Sequence, residues 1–88
     1  MHAVLFQVDV KEGWEGDAQA ELDMVVKMST ESRGYVRGVW ASNAQHAVSL
    51  QLFESEEAAR ECADGAFIPP DASVALDSVE VFEVQREA

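Results

Sequence analysis

The spacing of apolar and polar residues along the chain predicts four strands and two helices. Over Ala3–Val10, apolar side chains occupy every second position from Val4, which is the period of a strand. The last predicted strand, Val74–Val84, has Val79 and Val81 on one face and Phe82 and Val84 on the other. Both faces of these strands carry apolar residues, so we expect both faces to be covered. Helical spacing predicts one helix from Ala18 to about Thr30 and another from Glu56 to about Gly65.

The stretch 34–54 is predicted to form a hairpin. Two β-type runs, 34–41 and 46–54, flank four small or polar residues. In the second run, successive side chains point to opposite faces of the strand, and one of these faces is apolar through the middle of the run. The apolar face carries Val48, Leu50 and Leu52, and the opposite face carries Ser49, Gln51 and Phe53.

The resulting order, β-α-β-β-α-β, is that of a ferredoxin-like α+β fold, a four-stranded antiparallel sheet with two helices on one face. Asp17 and Ser55 stand just before the predicted helices, where their side-chain oxygens can accept from free backbone N–H groups. The helices would leave the second sheet face bare, and a bare apolar face is an exposed patch. Pairing two sheets face to face hides it, so the sequence predicts a homodimer.

Length, charge and cysteine content narrow the class of protein. Eighty-eight residues predict one domain, 1–88, that buries roughly 60–65% of its unfolded surface and gains from a partner subunit. The net charge of −11, with 6 Lys and Arg against 17 Asp and Glu, argues against a nucleic-acid or anionic-membrane surface.

No apolar run approaches the ~20 residues of a membrane helix. Residues 1–9 lack the basic region of a signal peptide. Cys62 has no partner for an internal disulfide, so we expect a cytoplasmic protein.

Two segments of the chain resemble a known family. GYVRGVW at 34–40 resembles the Pro/Gly-Gly-aromatic-X-X-Gly-X-Trp segment of antibiotic biosynthesis monooxygenase-like (ABM) domains. LFESEEAAR at 52–60 resembles their Phe-Glu-Ser-Glu-Glu-Ala-Ala segment, and the resemblance covers nearly the whole chain. It implies a dimeric α+β barrel, in which two sheets pack together and a small cavity lies between each sheet and its helices. Members include cofactor-free quinone-forming monooxygenases and haem-degrading enzymes.

The residues of this chain differ from the motif of the haem-degrading members of the family. That motif has an Asn on the first strand, a Trp near the third strand and a His on the second helix as iron ligand. This chain has Gln7 on its first strand and Trp40 on its second, and the second predicted helix contains no histidine. Haem would lack its axial ligand, so we expect no cofactor. His2, His46 and Cys62 have no metal-ligand spacing, so we expect no metal site either.

Trp40 and its neighbours on the second strand are the candidate ligand-binding residues. Strand parity places Trp40 and Gly38 on one face, and Tyr35 and Arg37 on the opposite face. Trp40 either lines a cavity or belongs to the core or the dimer contact, and Gly38 beside it would leave room for a ring. Tyr35 would be a second aromatic wall. Arg37 could neutralise an anionic group of a ligand or form a salt bridge with one of the many acids.

Three further residues have candidate roles. His46 opens the third strand and is a candidate general base near neutral pH, or a surface residue beside a turn. Trp14 lies in a glycine-flanked loop before the first helix, and either caps the cavity mouth or packs on the sheet edge. Cys62 shares a helix face with alanines and is predicted to be a small buried hydrophobe.

Two classes of function fit these residues. The first is a non-catalytic dimeric module that binds a small apolar or aromatic ligand or serves as a scaffold, with a physiological role that the sequence does not specify. The alternative, from the resemblance, is a cofactor-independent monooxygenase acting on an aromatic or phenolic substrate. Trp40 and Tyr35 would then be walls, and His46 or Arg37 the polar partner. A cavity with convergent polar groups would favour the enzyme.

Overall fold

The computed structural model of the protein describes residues 1–14 and 16–88. Its elements follow the predicted order: β1 (His2–Val10), α1 (Ala18–Thr30), β2 (Tyr35–Ser42), β3 (His46–Phe53), α2 (Glu56–Asp64) and β4 (Val74–Glu83). Gly65, the predicted last residue of the second helix, is instead its C-cap. The predicted turn over 11–16 includes Glu15, which lies outside the described residues.

The four strands form one antiparallel sheet in the order β2-β3-β1-β4. The sequence-adjacent strands β2 and β3 pair as the predicted hairpin, while β1 lies between β3 and β4. Strands β2 and β4 are therefore the two edges. This is the ferredoxin-like α+β arrangement that the element order predicts, and it is confirmed.

Helix α2 packs closely on the sheet because its inner side chains are small. Ala58 and Ala59 are buried, and they form the core together with Val4 of β1 and Phe53 of β3. Gly34 (φ 76°), just before β2, lies against Ala58 of α2. A Cβ added to Gly34 would be only 2.6 Å from the Ala58 Cβ. Any larger residue at either position would force the helix away from the sheet.

Both helices begin at the predicted N-caps. The Asp17 carboxylate accepts from the Ala20 backbone N–H at 3.0 Å, and the Ser55 hydroxyl accepts from the Ala58 N–H at 3.1 Å. Each satisfies a donor that the first helical turn leaves without an intrahelical partner. Among the described residues, neither helix has the length and apolarity that crossing a membrane would require.

Helix α1 is packed far more loosely than α2. The spacing predicts an inner face that includes Leu22, Val25 and Ser29, but Leu22 is 39% exposed and Val25 is 43% exposed. Ser29 is the residue of α1 that is buried. The reason is geometric, since α1 rests chiefly on the edge strand β2, whereas α2 contacts β1, β3 and β4. The apolar side chains of α1 are therefore less completely covered than those of α2.

The sheet face away from the helices, called the outer face below, carries an apolar surface. The register places Leu5 of β1, Leu50 of β3 and Val39 of β2 in one row across it, and Leu50 and Val39 are exposed. Val48 and Phe82 add to it and are also exposed. A contiguous apolar patch of this kind is typical of an interaction surface.

Candidate ligand site between the sheet and the helices

A β-bulge at Val36 sets the geometry of the site. Tyr35 is the partner of Phe53, and Arg37 is the partner of the next β3 residue, Leu52, so Val36 has no partner across the strand pair. A bulge of one residue reverses the alternation of faces along the strand. Tyr35 and Trp40 consequently lie on the same, helix-facing side. The parity prediction that put Tyr35 opposite Trp40 is therefore wrong.

Gly38 makes room for the two aromatic side chains on this face. A Cβ built on Gly38 would lie 3.0 Å from Cη2 and Cζ3 of Trp40 and 3.1 Å from the Tyr35 hydroxyl oxygen. The sequence predicts that Gly38 leaves room for a ligand ring, but in the structure Trp40 and Tyr35 themselves occupy that room. The Tyr35 ring also meets Phe53 edge to face, with centroids 6.0 Å apart and an interplanar angle of 83°.

Two buried polar residues of β3 lie beside these aromatic groups. Ser49 is the register partner of Trp40, and Gln51 is the partner of Gly38. Ser49 is 7% exposed and Gln51 3% exposed. We call Tyr35, Trp40, Ser49 and Gln51 the polar cluster. Sequence reasoning missed Ser49 and Gln51, although their alternation had placed them on the same strand face as Phe53, which is fully buried.

The polar cluster has few internal hydrogen bonds. Gln51 Nε2 donates to Ser49 Oγ at 3.4 Å, and Cys62 Sγ lies 4.0 Å from Gln51 Oε1, both at the outer limit for such contacts. The Trp40 Nε1 is out of contact with solvent and has no acceptor within the described part of the chain. Buried polar atoms are nearly always paired, so this cluster is an exception that calls for a physical reason.

A cleft of about 220 Å³ opens near the cluster, between the end of α1 and α2. Its lining residues are Ser32, Arg33, Ala58, Glu61 and Cys62. The Arg33 guanidinium spans its rim, 3.4 Å from Glu57 and 3.7 Å from Glu61. Cys62 both lines the cleft and contacts Gln51, so one side chain separates the cleft from the polar cluster. Burial raises the pKa of the Cys62 thiol, so it is a neutral group at physiological pH.

His46 and Arg37 lie on the outer face, away from the polar cluster. His46 Nδ1 lies 3.0 Å from Asp9 Oδ1, and both side chains are exposed. Arg37 pairs with Glu87 of the C-terminal segment. The sheet register places both residues on the face opposite Trp40. The structure therefore does not bring these two candidate polar partners to the candidate ligand-binding residues.

Trp14 packs against the connector between α2 and β4. Its Nε1 donates to the Asp71 backbone oxygen at 2.9 Å. The same connector accepts a hydrogen bond from Lys11 Nζ at Pro70, and the Ser73 hydroxyl donates to Glu21 of α1 at 2.8 Å. Unlike that of Trp40, the Trp14 indole N–H is satisfied within the chain. Its position is that of a residue that holds the connector in place.

The residues near the cleft do not fit haem in the way that the haem-degrading branch requires. The described residues of α2 include no histidine. Gln7 pairs with Val48 of β3 and Ser78 of β4, which places it on the outer face. In the part of the chain that the structure describes, no three His, Cys, Asp or Glu side chains converge as metal ligands do. The expectation that haem is not bound specifically stays a prediction.

The fold is similar to that of a solved structure. No family model matches the chain, and no curated protein matches it. Among solved structures, a crystal structure of a MhuD variant with two manganese protoporphyrin IX bound per active site is similar. The TM-score is 0.64 and the sequence identity 19%, over 100% of this chain and 98% of that chain. At this identity the likeness is one of fold, and the chain has the ferredoxin-like α+β fold of MhuD.

Proposed function

We propose that the protein is a small homodimeric module of the ABM-like type that binds a flat aromatic or apolar ligand between its sheet and its helices. Trp40 and Tyr35 supply aromatic contact surface, and the cleft beside Cys62 is the route of entry. The observation that carries the proposal is the buried Trp40 N–H without an acceptor, next to a nearly buried Gln51 with only two marginal contacts.

The loose packing of α1 supports binding at this place. Ligand sites are concave and mostly apolar, with a few polar groups that fix orientation. Leu22 and Val25 of α1 remain partly exposed instead of sealing the sheet beneath them. A ligand that passes the cleft and comes to lie between α1 and β2 would bury this surface, and each buried methylene contributes about 0.8 kcal/mol. The MhuD crystal structure holds a flat macrocycle in its active site, which is consistent with the proposal.

Binding is favoured over catalysis by the positions of the titratable groups. A general base must come within hydrogen-bond reach of the proton that it removes. His46 and Arg37, the candidate polar partners, lie on the outer face and are paired with acids. The cofactor-independent monooxygenase therefore remains the second candidate, and the Tyr35 hydroxyl is the ionisable group that the fold brings next to Trp40.

The homodimer is supported by the outer face and by the small core. Among the described residues, the hydrophobic side chains that are buried are Ala3, Val4, Phe53, Ala58 and Ala59. A core of this size, in a chain of 88 residues, leaves much apolar surface in contact with water. A second copy on the outer face would bury Val39, Leu50 and their neighbours.

Fluorescence titration with naphthalene tests the proposed function. In a Trp14→Phe background, Trp40 is the remaining tryptophan and reports on the site directly. Naphthalene should produce a saturable change in Trp40 emission, because the ring would displace the groups that now surround the indole. Calorimetry should show that Trp40→Ala lowers the naphthalene affinity by about tenfold or more, because an aromatic wall and its contacts are lost.

The Trp14→Phe protein is the matched control and should retain the affinity of the wild type, because Trp14 lies against the connector at Asp71. Thermal unfolding of the Trp40→Ala variant verifies that it is folded at the titration temperature. Linear, unsaturable quenching together with no binding heat, for naphthalene and equally for its nitrogen-containing analogue quinoline, would contradict the proposal. Oxygen consumption on addition of a phenol such as 1-naphthol would instead favour the monooxygenase.

A further inference from the structure

Trp40 and Gln51 have hydrogen-bonding capacity that the chain does not use. The Trp40 indole carries one donor, and its nitrogen is inaccessible to solvent without an acceptor among the described residues. Gln51 carries two N–H donors and an amide oxygen with two lone pairs. At 3% exposure, it makes one contact of 3.4 Å and one of 4.0 Å. Burying the Trp40 donor unpaired and the Gln51 amide with only marginal contacts is costly, so a bound molecule that hydrogen-bonds to them gains affinity.

The charge of the surroundings restricts what that molecule can be. The polar cluster contains no cation, and the two arginines nearest in sequence are engaged elsewhere. Arg33 pairs with Glu57 and Glu61 on α2, and Arg37 pairs with Glu87 on the outer face. The chain as a whole carries a net charge of −11. An anionic ligand would therefore lose its hydration without gaining a compensating positive charge. A neutral ligand with a hydrogen-bond acceptor has no such desolvation cost for a charge.

We propose, on the basis of the proposed function, that Trp40 and Gln51 select neutral aromatic ligands that carry a hydrogen-bond acceptor on the ring edge. The Trp40 N–H donates to that acceptor, which is a ring nitrogen or a carbonyl oxygen. The Gln51 amide, next to Trp40 through the register pair of Gly38 and Gln51, pairs with the adjacent edge of the ligand. A purely hydrocarbon ring of the same shape would leave the Trp40 N–H unpaired and the Gln51 amide with its two marginal contacts alone.

Quinoline and naphthalene form a matched pair of probes for this selectivity. They have nearly the same shape, and quinoline replaces one ring C–H by a nitrogen acceptor that is uncharged at pH 7.5. Calorimetry at that pH gives the ratio of quinoline affinity to naphthalene affinity for each protein. We expect this ratio to fall by about tenfold in Trp40→Phe, which keeps an aromatic wall and removes the donor. Gln51→Met, of similar volume, should lower the ratio as well.

Trp14→Phe provides the control, because it makes the same change at an indole whose N–H already donates to Asp71. Its affinity ratio should equal that of the wild type. A second measurement needs no substitution at the site: the indole ¹⁵N–¹H resonance of Trp40 should move downfield with quinoline and not with naphthalene. 1-Naphthoate, the anionic probe, should bind more weakly than quinoline.

The outcomes separate this inference from the proposed function. If naphthalene binds but the affinity ratio is the same in Trp40→Phe and the wild type, selection by the indole N–H is overturned while ligand binding stands. If only Gln51→Met leaves the ratio unchanged, Gln51 has no part in selection. If neither probe binds the wild type, the proposed function fails and the selectivity fails with it.

Discussion

Trp40 can occupy its position because Gly38 has no side chain. An alanine in place of Gly38 would have its Cβ only 3.0 Å from the Trp40 indole and 3.1 Å from the Tyr35 hydroxyl oxygen. Both rings would have to move outward. The glycine therefore serves aromatic packing on the helix-facing side, and its conformational cost in a strand is offset by that packing. The same face then receives the Ser49 and Gln51 side chains from β3, where they are almost fully shielded from water.

Cys62 is the titratable residue whose environment gives a pH-dependent prediction. Burial raises the pKa of its thiol above the ordinary value of 9.0, since the thiolate is poorly solvated there. Folding therefore favours the thiol form. This contribution to stability is fully present below pH 9.0 and is lost as the pH rises through the folded-state pKa. The pH midpoint of alkylation by iodoacetamide should lie above 9.0 in the folded protein.

The urea-unfolded chain is the control for this measurement, because Cys62 is the single cysteine and should then react with its ordinary midpoint. A folded-state midpoint at or below that of the unfolded chain would show that Cys62 is an activated thiolate. It would then be a candidate nucleophile rather than a neutral residue lining the cleft.

The two helices differ in how firmly the fold holds them. Helix α2 is short, with nine residues, and it contributes Ala58 and Ala59 to the core against β1, β3 and β4. Helix α1 has thirteen residues but buries Ser29 alone. Elements with few buried apolar contacts open at lower free energy than the core. Helix α1, which would have to move for a ligand to enter, therefore has fewer buried contacts than α2 and should open at the lower free energy.

Ser55→Ala should lower the free energy of unfolding by about 1 kcal/mol. The Ser55 hydroxyl accepts from the Ala58 N–H at 3.1 Å, and its loss leaves that donor unpaired in the first turn of α2. Because α2 forms part of the core, the loss should lower the urea midpoint of the whole domain with an unchanged m-value. Ser55→Asp, which keeps an acceptor at the cap, should stay close to the wild type. Equal midpoints for Ser55→Ala and the wild type would mean that the cap does not stabilise the fold.

At the scale of the whole molecule, the outer face and the C-terminal segment belong together. Val84 N–H donates to the Met1 backbone oxygen at the β4 edge, and Glu87 pairs with Arg37 on β2, the opposite edge. Residues 84–88 therefore cross the sheet on the side of Arg37. They cover one end of the outer face and leave Val39, Val48 and Leu50 exposed.

Val39→Asp should prevent the proposed dimer from forming. Val39 is 66% exposed in the single chain, so a carboxylate there costs the isolated chain little. In a dimer through the outer face, the same carboxylate would be buried without a partner, which is strongly unfavourable. Analytical ultracentrifugation at micromolar concentration should show dimer for the wild type and monomer for Val39→Asp.

Met24→Asp is the matched control for that experiment. Met24 is 65% exposed, nearly the same as Val39, but it lies on α1 rather than on the outer face. The Met24→Asp protein should therefore remain a dimer. A wild-type protein that sediments as a monomer would exclude the dimer altogether, and a Val39→Asp protein that stays dimeric would place the contact elsewhere.

Local signals in the sequence determined the elements and their order. Period-two alternation predicted β1 and β3, and apolar residues on both faces of a short run predicted β4. Helical spacing predicted α1 and α2, and Asp17 and Ser55 marked the starts of both helices. These features depend on neighbours within a few residues, which is why they can be read from the chain alone. The order of elements then restricted the topology to the fold that is observed.

The site was decided by the tertiary structure. The bulge at Val36 arises from how β2 pairs with β3, and it moves Tyr35 to the same face as Trp40. The same pairing brings Gln51 next to Gly38, thirteen residues away along the chain but without any local pattern that links them. Strand register is a long-range property, set by all the packing on both faces, and one residue of shift reverses every side chain. That is why the sequence named Trp40 as a candidate but could not assemble the residues around it.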